Sequence, residues 1–139
     1  MNRVFLDTNV LLDVLLRREP FVNDSAQVLN MGFKGEIDLY ATPLSFATCL
    51  FVARKSLGYT NTLEALKILE RHIRIVTMDA AQLHEALYDT APDFEDMLQY
   101  HAALTAKCSH IITRNEQHFP MSEVAVMSPT AFLQTQFAV

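Results

Sequence analysis

Five short apolar runs punctuate this chain at intervals, all but the fourth followed by a stretch with helical spacing. The runs are Arg3–Leu6, Ile37–Ala41, Ile73–Thr77, Ile111–Thr113 and Val124–Val126. Between them, apolar side chains recur three and four residues apart, as in Val10, Leu11, Val14 and Leu15, or Leu63, Leu66 and Leu69. Strands that alternate with helices cannot pair as hairpins. They form parallel pairs joined by crossover helices, so the pattern predicts an α/β fold: a mostly parallel sheet of about five short strands flanked by helices on both faces. No internal repeat or low-complexity linker interrupts the order, and 139 residues suit one domain spanning 1–139.

Local signals place the helices. Arg17-Arg18 and Pro20 suit the end of the first. Asn23-Asp24-Ser25 offers a cap for the second, which Gly32 or Gly35 would close. Pro43 stands at a first helical position after Thr42, opening a helix that is apolar nearly all round and is therefore expected to be buried. Thr60-Asn61-Thr62 and Asp79 suit the caps of the next two, Asp93 that of a sixth with Met97, Tyr100, Ala103 and Leu104 inward, and Pro129–Phe137 reads as a terminal helix.

Composition removes several function classes. The formal net charge of −5 argues against a protein that binds nucleic acid by bulk attraction to phosphate, while leaving room for an enzyme that uses metal ions and a local basic patch. Cys49 and Cys108 lie in apolar surroundings and read as buried thiols of a reducing compartment. The longest apolar run contains Pro43 and is short for a membrane span, and Asn2-Arg3 precede too few apolar residues for a signal peptide. A cytoplasmic protein with no membrane partner is expected.

Polar clusters fall where chemistry is usual in such sheets, outside the carboxyl ends of the strands. Asp7 follows the first strand, Thr113-Arg114-Asn115 ends the fourth, and Asp93–Asp96 opens the helix that feeds the fourth. Helix capping alone accounts for Asp7, Thr8 or Asn9 and for the Asp93/Asp96 pair. Capping and metal binding are compatible, because a capping carboxylate keeps an oxygen free.

Three segments together resemble the PIN domain family, metal-dependent nucleases that include bacterial toxin components and RNA-processing enzymes. Val4-Phe5-Leu6-Asp7-Thr8-Asn9-Val10-Leu11-Leu12-Asp13 resembles its opening motif. Asp93-Phe94-Glu95-Asp96, with Ala102-Ala103 downstream, resembles its acidic helix, and Ile111-Ile112-Thr113-Arg114-Asn115 before Phe119 its late strand end. The resemblance implies a three-layer α/β/α PIN-like fold and a metal-dependent ribonuclease, with Asp7 and Asp96 as metal ligands and Asp93 and Asn115 completing the catalytic set. It implies that Thr8, Asn9 and Thr113 support the site; Arg114 beside it, with Arg17-Arg18 or Arg54-Lys55 as further basic candidates, is expected to hold RNA phosphate. It also implies Mg²⁺ or Mn²⁺ as cofactor, RNA as substrate, a cognate antitoxin protein as partner, and a homodimer. Carboxylate and amide oxygens are hard ligands that suit those ions, and the five histidines show no zinc-site spacing.

The chain departs from the family most clearly at one position. Relatives place a Glu on the helix after the second strand, near Ser45 or Thr48, and this stretch holds no acid. Asn115 is a neutral amide, and His118 stands before Phe119 where relatives often carry Asp. The thinned acidic set leaves a second expectation, a PIN-fold module that binds RNA or protein without cutting. Phosphatases with Asp after a first strand need a second Asp two residues on, where this chain has Asn9. Receiver domains need an acidic cluster at the first strand and a late Lys, neither of which is present.

Overall fold

The computed structural model describes residues 1–89, 93–119 and 123–137. Five strands, β1 (Arg3–Leu6), β2 (Asp38–Ala41), β3 (Ile73–Ile75), β4 (His110–Ile112) and β5 (Ala125–Met127), form one sheet in the order β3-β2-β1-β4-β5. Every pairing is parallel, with Phe5 opposite Tyr40 on one side and Ile111 on the other. The chain moves outward from β1 to β3, then returns to lay β4 against the opposite side of β1. The strand order therefore reverses between β1 and β4, which opens a crevice at their carboxyl ends.

Seven α-helices are described: α1 (Thr8–Leu15), α2 (Val22–Phe33), α3 (Pro43–Leu57), α4 (Tyr59–Glu70), α5 (Ala80–Leu87), α6 (Phe94–Thr105) and α7 (Pro129–Phe137). Alternation along the strands sorts them into two layers. Val4, Leu6, Leu39, Ala41 and Ile112 face a core shared with side chains of α1 to α4 and α7. Phe5, Tyr40, Ile111 and Val126 face a second core built on Met97, Tyr100 and Ala103 of α6 and Ala86 of α5. Val4, Phe5 and Leu6 are all fully buried, as a central strand covered on both faces requires. Cys49 and Cys108 are buried free thiols whose pKa values burial pushes up to about 12. Among the described residues no helix is long and apolar enough to cross a membrane.

Most helix ends fall where the sequence places them. Thr42 caps α3 through Ser45 N (3.1 Å) with Pro43 in the first turn, and Asp79 and Gln82 form a capping box on α5. α1 ends in a Schellman motif, in which Arg18 N donates to Asp13 O (2.9 Å) and Arg17 N to Val14 O (3.3 Å), with Arg17 left-handed at φ 52°. The same arrangement closes α2 at Gly35 (φ 78°), whereas Gly32 lies inside α2 because Leu39 leaves no room there for a Cβ.

Three local expectations are corrected. α2 begins at Val22, so Asn23-Asp24-Ser25 occupy its first turn and supply no side-chain cap. α4 starts directly after Gly58 (φ 84°). Asn61 and Thr62 lie inside it and donate back to Leu57 O and Gly58 O. α3 is not buried all round: Ser45, Cys49 and Ala53 face inward at four-residue spacing, while Phe51 is 58% exposed. On α5 the inward side chains are Gln82 and Ala86, and Leu83 and Leu87 face outward. Apolar content shows how much surface a helix could bury, and only the neighbouring elements decide which surface is covered.

Candidate metal centre

The crevice between β1 and β4 is lined by the polar clusters. Asp7 follows Leu6, and its N–H continues the sheet by donating to Ile112 O (3.0 Å). Asp7 Oδ1 accepts from Thr8 N (2.8 Å), capping α1, and Oδ2 accepts from the Thr113 hydroxyl (2.8 Å). Thr113 Oγ1 in turn accepts from Asn115 N (3.0 Å), so the β4 end and the Asp7 carboxylate brace each other. Asp93 caps α6 by accepting from Asp96 N (3.0 Å), which places both carboxyl groups on the first turn. Capping and clustering are thus properties of the same residues.

Asp7, Thr8, Asn9, Asp93, Asp96 and Asn115 all line one cleft of roughly 350 Å³. Arg114 does not. Its guanidinium forms a bidentate pair with the fully buried Asp13, with Nε 2.6 Å from Oδ2 and Nη2 3.1 Å from Oδ1, and it stacks 4.0 Å above the Phe21 ring. Arg114, expected to contact phosphate, is therefore engaged by Asp13 outside the cleft lining. The basic residue at the cleft is Arg18, which the Schellman turn carries to its wall. Arg54 and Lys55 lie over the Phe51 ring instead, and Arg17 lines a groove between α1, α2 and α4.

Two further features border the cleft. Gln99 stands three residues after Asp96, hence on the same face of α6. Its amide nitrogen donates to Ser45 Oγ (2.7 Å) and Thr8 Oγ1 (3.1 Å), and its oxygen accepts from Thr42 Oγ1 (3.0 Å). Thr8 and Ser45 hydroxyls pair at 2.7 Å. This neutral network joins α1, α3 and α6 where relatives are expected to hold a Glu, and Ser45 is fully buried in it while Thr48 lines the cleft. The second feature is His118, whose Nδ1 is 2.9 Å from Asp96 Oδ2. His101, one turn further along α6, bonds Asp89.

Electrostatics mark the carboxylates as strained in their ionised form. Burial, with smaller repulsion from Asp93, pushes the Asp7 pKa up against the hydrogen bond from Thr113. Burial and then the Asp7 charge push Asp96 up to about 6. Among the described residues Asp93, Asp96 and His118 can bring one ligand atom each within 4.8 Å of one another. Two donors on one ion at 2.0–2.4 Å can be no farther apart than roughly 4–4.8 Å. Asp93 and Asp96 thus share a centre that a divalent cation fits, and Asp7 lines the same cleft outside that group.

A PIN domain family model matches residues 3–117. The chain belongs to the PIN domain family. Solved structures of similar fold include the VapBC-1 complex of nontypeable Haemophilus influenzae, at 14% identity and TM-score 0.66 over 92% of this chain and 98% of that one. VapC20 of Mycobacterium tuberculosis, described as a sarcin-ricin loop cleaving toxin, gives 11% identity and TM-score 0.63 over 78% of this chain and 86% of that one. DNA-bound VapBC of Salmonella typhimurium gives 12% identity and TM-score 0.65 over 93% and 99%. No curated protein sequence matches significantly. At these identities the structures establish a shared fold, the three-layer α/β/α PIN-like arrangement that the motif resemblance implied.

Proposed function

We propose that this PIN domain is a divalent-metal-dependent endoribonuclease and the toxin of a toxin–antitoxin pair. The observation that carries the reading is the convergence of Asp7, Asp93, Asp96 and Asn115 on one cleft at the strand-order reversal. Membership of the PIN domain family supports it, as do structural neighbours described as VapBC complexes and as a sarcin-ricin loop cleaving toxin.

Asp7, Asp93 and Asp96 would hold Mg²⁺ or Mn²⁺, with the Asn115 side chain at the rim. The ion would neutralise charge on a phosphodiester and acidify water. The chain's own contribution is placement. Thr113 and the α1 N-terminus hold both Asp7 oxygens, and the Gln99 network locks α1, α3 and α6 around the floor. Arg18 offers a cation to phosphate at the wall, which a protein of net charge −5 needs locally. In the reaction a water oxygen bonds phosphorus while the bond to one ester oxygen breaks, leaving a phosphate monoester and a hydroxyl. The same reading takes the chain as one domain working in the cytoplasm, with a cognate antitoxin and a second copy of itself as partners. Exposed apolar side chains such as Phe51 and Ile68 on α3 and α4 offer surface for a protein contact.

The neutral Thr8–Thr42–Ser45–Gln99 network favours a second reading, a module that binds RNA or protein without cleavage. Cleavage of structured RNA with Mn²⁺ by wild type, Asp7→Asn and Asp96→Asn separates the two. Loss of at least ~100-fold in both variants supports the nuclease. Equal activity in all three sinks the assigned roles, and absence of cleavage by a folded, RNA-binding wild type supports the module.

A further inference from the structure

We propose that His118 is a nitrogen ligand of the metal centre and tunes it toward first-row transition ions, Mn²⁺ among them, over Mg²⁺. The inference rests on the metal-dependent reading above and goes beyond its all-oxygen ligand set.

The backbone fixes His118 before any ion arrives. Residues Glu116–His118 form a single 3-10 turn in which His118 N donates to Asn115 O (2.9 Å) and Phe119 N to Glu116 O (3.1 Å). Phe119 is 4% exposed and anchors the following residue in the second core. The turn is therefore held at both ends, by Asn115 at the cleft and Phe119 in the core. The imidazole is only partly exposed, and Nδ1 lies 2.9 Å from Asp96 Oδ2. It is the nitrogen donor among the grouped Asp93, Asp96 and His118 atoms, all within 4.8 Å of one another.

Chemistry then separates the candidate ions. Mg²⁺ prefers hard oxygen donors and near-ideal octahedral geometry, and it gives up water reluctantly. Imidazole nitrogen adds more to the affinity of transition ions, in the order Mn²⁺ below Co²⁺ and Ni²⁺. The chain lacks the family's Glu near Ser45 or Thr48, and Asn115 is neutral. A nitrogen donor beside Asp96 restores ligand count without adding the repulsion that already burdens Asp7 and Asp96. The competing role for His118 is a hydrogen-bond donor that orients Asp96. Such a role affects every ion alike, which gives the test its discriminating power.

The test measures Mn²⁺ and Mg²⁺ binding to the full chain by calorimetry and records pulsed electron paramagnetic resonance of the Mn²⁺ complex, for wild type, His118→Ala and His118→Asp. The expected result is ¹⁴N modulation in wild type that vanishes in both variants. Mn²⁺ affinity should fall roughly 10–100-fold in His118→Ala with Mg²⁺ affinity within about twofold, and His118→Asp should narrow the gap between the ions. Mn²⁺ bound without ¹⁴N modulation, and both ions weakened equally by His118→Ala, would overturn the inference and leave the metal-dependent reading standing. A folded wild type that binds neither ion at millimolar concentration would overturn both.

Discussion

Asp13 and Arg114 form a bidentate ion pair that ties α1 to the loop after β4, with the Asp13 side chain fully buried and the guanidinium one-quarter exposed. Asp13 also accepts Arg18 N through its backbone oxygen, and its side chain lies 3.7 Å from Arg18. One buried acid therefore organises both arginines nearest the cleft, sending Arg114 away from it and Arg18 toward it.

Arg114→Met should destabilise the protein by about 3 kcal/mol, because removing one partner leaves a buried charge uncompensated. Arg18, at 3.7 Å, offsets part of that cost. In urea denaturation, Asp13→Leu combined with Arg114→Met should recover stability relative to the single variant. Arg18→Ala should instead weaken RNA binding with little loss of stability. A stable Arg114→Met protein with weakened RNA binding would reverse these assignments.

Acid–base behaviour should report the crowded carboxylates. Burial first, and then the Asp7 charge, raise Asp96 from 3.8 to about 6. The folded state thus holds that proton longer than the unfolded chain. The resulting stabilisation is fully present below about pH 4 and is lost as pH rises through about 6. Relative to Asp96→Asn, metal-free wild type should lose on the order of 2–3 kcal/mol between pH 4 and pH 7. His110, whose pKa burial lowers, acts in the opposite direction, losing stability as pH falls, so the comparison with the variant is needed to isolate Asp96. Denaturation at a series of pH values in chelator measures it. Added Mn²⁺ should stabilise more at pH 7 than at pH 5.

Thr48→Glu should restore the acid missing from the family pattern. Thr48 lines the cleft, whereas Ser45 is fully buried and bonded to Thr8 and Gln99. The variant is expected to bind Mn²⁺ roughly tenfold tighter by calorimetry and to melt at lower temperature without metal, since it adds a carboxylate beside Asp7. Ser45→Glu should fail to fold stably.

Gly32→Ala should cost about 1–3 kcal/mol in thermal unfolding. The added Cβ would clash with Leu39 Cδ1 and Cγ, so α2 and β2 must separate or Leu39 must repack.

The strand–helix alternation, the parallel sheet, the caps at Thr42, Asp79 and Asp93, and the approach of Asp7 to Asp96 follow from local sequence. Each rests on periodicity or capping chemistry that acts within a few residues, plus the rule that parallel strands bring their carboxyl ends to one edge. Tertiary structure alone decided the rest. Arg114 has the same local sequence whether it faces RNA or Asp13, and only the packing of α1 against the β4 end chose Asp13. The inward face of α3 depended on which neighbours covered it, and the Gln99 network joins side chains separated in sequence by 54, 57 and 91 residues. His118 became part of the centre through a turn pinned by Phe119 in the far core. Sequence determined which groups reach the crevice edge. Burial, and the partners that burial imposes on charged groups, decided which of them face into it.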